Sequence, residues 1–335
     1  MQPPVASRRP TSLDAHDETR VDEYFWLRNR DDPEVLAYLE AENAYTEAQM
    51  AHTAPLQETL YREFLSRIKE TDLSVPVKRD EWFYYSRTEQ GRQYPLFCRK
   101  HGSVDAAEEI VLDINLLAEG HDYFDIGSAT VSPDHSMLVY GEDTDGSERY
   151  RLRVKALASG ELLDVDITNT AANVEWCNDN RTFYYTVLDE TRRPYRVYRH
   201  RLGQGVPDEL VFEEPDEAFF VHLGHSKDRR QLYISLGSNV TSEEYFLAAD
   251  DPEAQPVLFQ AREHGVEYSI EHRAGEFWVL SNRDAVDFRL FRVPVQHYQE
   301  TSAWQEYVPH REKPSSKTSS YFGIFSRFIC ATKGC

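Results

Sequence analysis

The sequence predicts a mainly β fold, built from about five four-stranded propeller blades behind an α-helical N-terminal segment. Two observations carry this. Short aromatic and β-branched strand signals recur with turns between them, and four of them, centred on Val139, Tyr184, Tyr233 and Trp278, are spaced by 45, 49 and 45 residues. The aromatics that supply them are 20 Tyr and 17 Phe, residue types that favour pleated, half-buried surfaces.

The helical segment comes first, over residues 1–72. Asp32 is a good N-cap and Pro33 sits where a helix needs no N–H donor. Val35, Leu36, Leu39, Ala44, Tyr45 and Ala48 then recur at spacings that mark one helix face. A second helix is expected from Pro55, with Leu56, Leu60, Phe64 and Ile68 four apart. Both apolar faces need a surface to cover.

From Val75 the period changes to two. Trp82 to Tyr85 opens a first, less regular blade across residues 75–115. The next four units share one plan. A strand (Tyr123 to Ile126, Asn173 to Trp176, Phe219 to Leu223, Tyr268 to His272) precedes a turn and the strand centred on the residues above. The turns are Ser132-Pro133-Asp134, Asn178-Asp179-Asn180, Lys227-Asp228 and Ala274-Gly275. Two further strands close each unit, such as Tyr150 to Val154 followed by Leu162 to Ile167. A four-stranded sheet cannot bury both faces alone, so such units stack around an axis. A β-sandwich also spaces its strands evenly, but the repeated order of turn and strand favours the propeller. The propeller is placed over residues 75–312. Residues 313–335 carry Lys313, Lys317, Arg327 and Lys333 and no acid, and are expected to be a disordered, unrelated tail.

The formal net charge is −21. Such a chain repels nucleic acid and anionic membrane, so neither is expected as a partner. No apolar run approaches the ~20 residues that cross a bilayer, and no apolar stretch follows Arg8 and Arg9 as in a signal peptide. Cys98, Cys177, Cys330 and Cys335 show no CxxC and no zinc spacing, which fits reduced thiols in the cytoplasm.

Several longer stretches resemble a known family. Thr19 to Arg28, Asp32 to Asn43, Ile68 to Pro76, Tyr84 to Pro95 and Glu119 to Tyr123 are similar, in the right order, to the oligopeptidase B branch of the prolyl oligopeptidase family of serine peptidases. The resemblance covers residues 10–310. It implies a seven-bladed propeller joined to an α/β-hydrolase domain, a helical segment that packs on that domain, and cleavage of short peptides after Arg or Lys by a Ser-Asp-His triad without a cofactor. The propeller of the family limits substrate size. On this reading the propeller is incomplete, about five of seven blades, and the catalytic domain is absent. The family character stops near Glu312, as a shifted frame or premature stop would produce, and the unpaired blade edges predict marginal stability.

No residue is assigned to catalysis, to a cofactor or to a metal. An α/β-hydrolase nucleophile needs G-x-S-x-G on a strand–turn–helix elbow. Gly224-His225-Ser226-Lys227-Asp228 lacks the second Gly and any following helix, and reads as a blade turn. His222 and His225 are three apart on a strand, so they face opposite sides and make a poor metal pair. Asp250-Asp251 and Glu213-Glu214 are expected in solvated loops. Asn180-Arg181-Thr182 and Asn239-Val240-Thr241 match glycosylation acceptors but lack a secretory signal. The expected function is a truncated peptidase, inactive alone, with short basic peptides and a missing hydrolase domain as partners. The rivals are a stand-alone propeller used for binding, and a half that joins a separate hydrolase chain.

Overall fold

The computed structural model describes residues 2–310. The predicted tail at 313–335, with Cys330 and Cys335, lies outside them. The chain divides into two compact units, one ending at Asp72 and one beginning at Leu73.

The first unit holds the two expected helices, α1 (Pro33–Met50) and α2 (Ala54–Arg67). The Asp32 side chain accepts from the Glu34 N–H at 2.9 Å, as a helix N-cap should. Ile68 is extended, with ψ 126°, so the four-residue spacing continues one step beyond the helix. Leu36, Leu39, Leu56, Leu60 and Phe64 are exposed, and Val35 is buried. The unit is not helical throughout. A hairpin of β1 (Thr11–Ala15) and β2 (Glu18–Asp22) precedes the helices. Its turn residues His16 and Asp17 take left-handed φ of 54° and 62°, the type that matches strand twist. Trp26 anchors this region, donating from Nε1 to the Ser7 carbonyl at 2.9 Å beneath the Arg9 guanidinium.

The second unit is five antiparallel blades. Blade one is β3 (Val77–Arg79), β4 (Trp82–Arg87), β5 (Leu96–His101) and β6 (Glu108–Asp113). Blades two and three share one seven-stranded sheet: β7 (Asp125–Val131), β8 (Met137–Asp143), β9 (Tyr150–Ala156), β10 (Ile167–Trp176), β11 (Thr182–Leu188), β12 (Pro194–Arg201) and β13 (Glu209–Glu213). Blade four is β14 (Phe220–His225), β15 (Gln231–Gly237), β16 (Ser242–Ala248) and β17 (Val257–Gln260). Blade five is β18 (Tyr268–Arg273), β19 (Glu276–Ser281), β20 (Arg289–Pro294) and β21 (Gln305–Val308). Among the described residues no strand pairs blade five with blade one, so the ring is open.

One strand assignment changes. Leu162 to Ile167 and Asn173 to Trp176 are not two separate strands. Leu162 makes only an isolated bridge to Lys155, and β10 runs unbroken, pairing β9 at its start and β11 at its end. A register shift around Thr170, beside the left-handed Asn169, lets it pass from blade two to blade three.

The blades stack through apolar layers. Leu138 and Tyr140 meet Val111 and Leu112 between blades one and two, and Val139 and Leu152 meet Trp176 and Phe183 between blades two and three. Val221 and Ile234 meet Tyr184 and Val197, and Phe259 meets Phe277. Each such side chain contributes roughly 1.5–3 kcal/mol by leaving water. Residues of the first strands β3, β7, β10 and β14 line one shared axial channel. Cys98 and Cys177 lie inside the layers as free thiols, and burial pushes them up to about 11 and about 12. Among the described residues no helix is long and apolar enough to cross a membrane.

Candidate functional site

The inner end of each blade is made by the turn between its first two strands. In blades two and four these turns are the same device. Ser132 Oγ donates to Asp134 Oδ1 at 2.7 Å, and Ser226 Oγ to Asp228 Oδ1 at 2.8 Å. The N–H of His135 closes on the Ser132 carbonyl, and that of Arg229 on the Ser226 carbonyl, both at 2.9 Å. His135 and Arg229 are left-handed, with φ of 62° and 58°. Each hydroxyl also accepts the N–H of the returning strand, from Met137 at 3.0 Å and from Gln231 at 2.9 Å. Asp179 caps the blade-three turn in a similar way, accepting from Arg181 and Thr182.

This repeated geometry brings the turn-tip side chains together at one mouth of the channel. Asp80, at the tip of the β3–β4 turn, accepts from Arg229 Nη1 at 2.6 Å and lies 3.0 Å from His135 Nε2. His135 Nδ1 is 2.8 Å from the Tyr84 hydroxyl. Asn180 Oδ1 accepts the Asp134 N–H at 2.8 Å, so the asparagine of the first acceptor-like triplet holds a turn in place. Blade five joins the ring where His272 Nδ1 meets Asp228 Oδ2 at 2.7 Å and Glu271 accepts the Lys227 N–H at 2.8 Å. Hydrogen bonds from Arg229, the largest cause, and from His135 hold the Asp80 carboxyl below the ordinary range. Burial instead pushes Glu271 up to about 7.

Behind the rim lies a cavity of about 640 Å³. Its walls include Lys78, Arg79, Lys227 and Arg229 and a single carboxylate, Glu175. Glu175 is engaged by His225 Nδ1 at 2.5 Å.

Ser226 is 1% exposed and its Oγ is committed to Asp228 and to two backbone N–H groups, without a histidine base. His225 holds Glu175 while His222 is exposed further back on β14. Asp250 and Asp251 are exposed beyond β16, but the expectation for the other pair fails. Glu213 ends β13, and Glu214 is 3% exposed, gripped by Arg262, which also holds the buried Glu243 at 2.8 Å. A cation 48 residues away decides that burial, and no local signal announces it. Asp80, Arg79, His135 and Arg229 also escape motif reasoning. The only hint is the recurrence of Ser-x-Asp at Ser132 and Ser226.

Residues 3–330 match the family described as prolyl oligopeptidase, N-terminal beta-propeller domain. The match runs on past Lys313. The chain is similar to Protease 2 of Moraxella lacunata, 36% identical across 93% of this chain and 48% of that one. It is also similar to Dipeptidyl aminopeptidase BI of Pseudoxanthomonas mexicana, 39% identical across 97% of this chain and 47% of the relative. Among solved structures it is similar to oligopeptidase B from Leishmania major, with a TM-score of 0.86 at 27% identity over 93% of this chain and 47% of that one. Oligopeptidase B from Trypanosoma brucei, with covalently bound antipain, gives 0.84 at 31% identity over the same shares. The chain spans about half the length of these relatives.

Proposed function

The chain belongs to the prolyl oligopeptidase family, and from that premise we propose that it is the propeller portion of a serine oligopeptidase cleaving short peptides after Arg or Lys. The observation that carries this reading is the likeness, over nearly the whole chain, to oligopeptidase B proteins from two organisms. The channel mouth supports the size limit. The Asp80–Arg229 pair joins blade one to blade four across the mouth and so narrows the entrance that a substrate would use. The net charge of −21 supports the preference for cationic peptides by raising their local concentration. Two buried, unpaired thiols support a cytoplasmic setting.

The described residues hold no catalytic step in this proposal. Ser226, the one serine in a G-x-S context, serves a turn, and the nucleophile belongs to a hydrolase domain of the kind the family carries. The chain is therefore expected to leave an arginine ester or arginine amide intact. Turnover that a serine-directed reagent abolishes would overturn this.

The 39% identity to an aminopeptidase favours a second reading, release of dipeptides from a free N-terminus. In an enzyme that joins this propeller to its hydrolase domain, paired substrates with free and acylated N-termini separate the two. Equal cleavage of both supports the endopeptidase, and cleavage of the free form alone supports the exopeptidase.

A further inference from the structure

We propose that the cavity behind the channel mouth is an oxyanion site, taking a carboxylate or phosphate group on Arg79 with help from Lys78. The charge of the walls is the first reason. In a chain of net charge −21, this one cavity is lined by Lys78, Arg79, Lys227 and Arg229 against Glu175, which is bound to His225, and with Arg229 paired to Asp80 the charge it offers is concentrated at Arg79 and Lys78. Concentrating positive charge against the sign of the whole protein costs free energy through mutual repulsion, and an anion offsets that cost.

The second reason is Arg79 itself. It ends β3 and is half-buried, with its guanidinium 6.0 Å from the Tyr84 ring. Among the described residues it has no hydrogen-bonded acceptor and no carboxylate partner, whereas Arg229 beside it is neutralised by Asp80. A guanidinium presents five donors in a planar fork, which suits the two oxygens of a carboxylate or phosphate. The Asp80 carboxylate is shared by Arg229 and His135 and so is not available to Arg79. Size fits as well, since about 640 Å³ admits a small anion or the carboxylate end of a peptide, with water.

The site is defined by geometry at the mouth and does not depend on the catalytic reading. Its test is binding, measured by calorimetry and melting temperature on the full chain. The probes are inorganic phosphate, a short neutral peptide with a free C-terminal carboxylate, and the same peptide as its amide. The expected result is saturable binding of phosphate, of the peptide acid, or of both, and none of the amide. Phosphate alone identifies a free anion as the ligand, and the peptide acid alone identifies a chain terminus. Arg79→Gln should weaken binding by about tenfold or more, the loss expected for a charge-assisted contact. If Arg79→Gln does not fold, Lys78→Gln gives the same readout with a smaller loss. Absence of binding to any probe, or equal binding by wild type and a folded variant, overturns the proposal.

Discussion

Asp80 and Arg229 form an ion pair of 2.6 Å between blades one and four, which are neighbours neither in sequence nor in any sheet. Each lies at the tip of a turn whose left-handed residue aims it at the channel mouth. The turn conformations therefore do in pieces what no single segment could do, setting a pair 149 residues apart face to face.

Because the Asp80 side chain is 52% exposed and that of Arg229 36%, water screens the pair strongly. Asp80→Asn should cost under about 1 kcal/mol at neutral pH, and less in high salt. The folded carboxyl sits below its ordinary value, so its contribution is present above about pH 4 and fades as the pH falls through the lowered folded value. Urea unfolding of wild type and variant at pH 7 and pH 3, each at low and high salt, measures this. A loss of several kcal/mol that ignores salt would show that the pair is far less solvated than its exposure implies.

Glu244 behaves in the opposite way. It is 5% exposed on β16, with Ser235 Oγ donating to Oε2 at 2.5 Å, and burial pushes its carboxyl up to about 8. The unfolded chain releases this proton near pH 4.3, so folding holds a proton that water would take. Stability should therefore fall as the pH rises from about 4.3 to about 8 and level off above that. Glu244→Gln keeps the shape without the charge. The variant should match wild type near pH 4 and exceed it near pH 9 by about 2 kcal/mol or more. Parallel curves for the two proteins across that range would rule the mechanism out.

How much of this was legible depended on how local each cause is. The cap at Asp32 with Pro33 is a two-residue signal, and α1 starts where it says. Blades are legible because the strand period and the turns repeat. The β1–β2 hairpin gives no such signal, since Glu18 to Asp22 lack an apolar alternation and the turn at His16-Asp17 has no glycine. Strand β10 is hidden by Asn169 and the weak strand formers Ala171 and Ala172 at its centre, where blade stacking overrides propensity. The channel mouth and the Glu214 cluster are set by partners 48 to 149 residues away, and no window along the chain contains both members.

Ser226 separates a turn residue from a nucleophile. Ser226→Ala removes one donor to Asp228 and one acceptor for the Arg230 and Gln231 N–H groups, all at a site 1% exposed. The expected loss is about 1–3 kcal/mol of stability, read as a lower urea midpoint with unchanged slope. Ser132→Ala should do the same, because its turn is built alike. In an arginine-ester assay neither change alters the signal. A Ser226→Ala protein of native stability would mean that the hydroxyl has another task.

Arg262 supports the most consequential substitution. Its guanidinium lies 3.9 Å over the Phe219 ring and grips Glu214 and Glu243, whose side chains are 3% and 6% exposed. Arg262→Met keeps the bulk over the ring but strands two carboxylates away from water. Removing one partner of a buried pair costs about 3–5 kcal/mol. Here the lower end is expected, because the Asp216 N–H still reaches Glu214 and the Arg262 N–H still reaches Glu243. If charge and not shape is the cause, adding Glu214→Gln and Glu243→Gln to Arg262→Met should recover most of the loss. The triple variant then falls within about 1 kcal/mol of wild type, since neutral amides tolerate burial once hydrogen-bonded. Urea midpoints of the three proteins decide the matter. A single variant within 1 kcal/mol of wild type, or a triple variant no better than the single, would show that packing on Phe219 and not the ion triad holds blades three and four together.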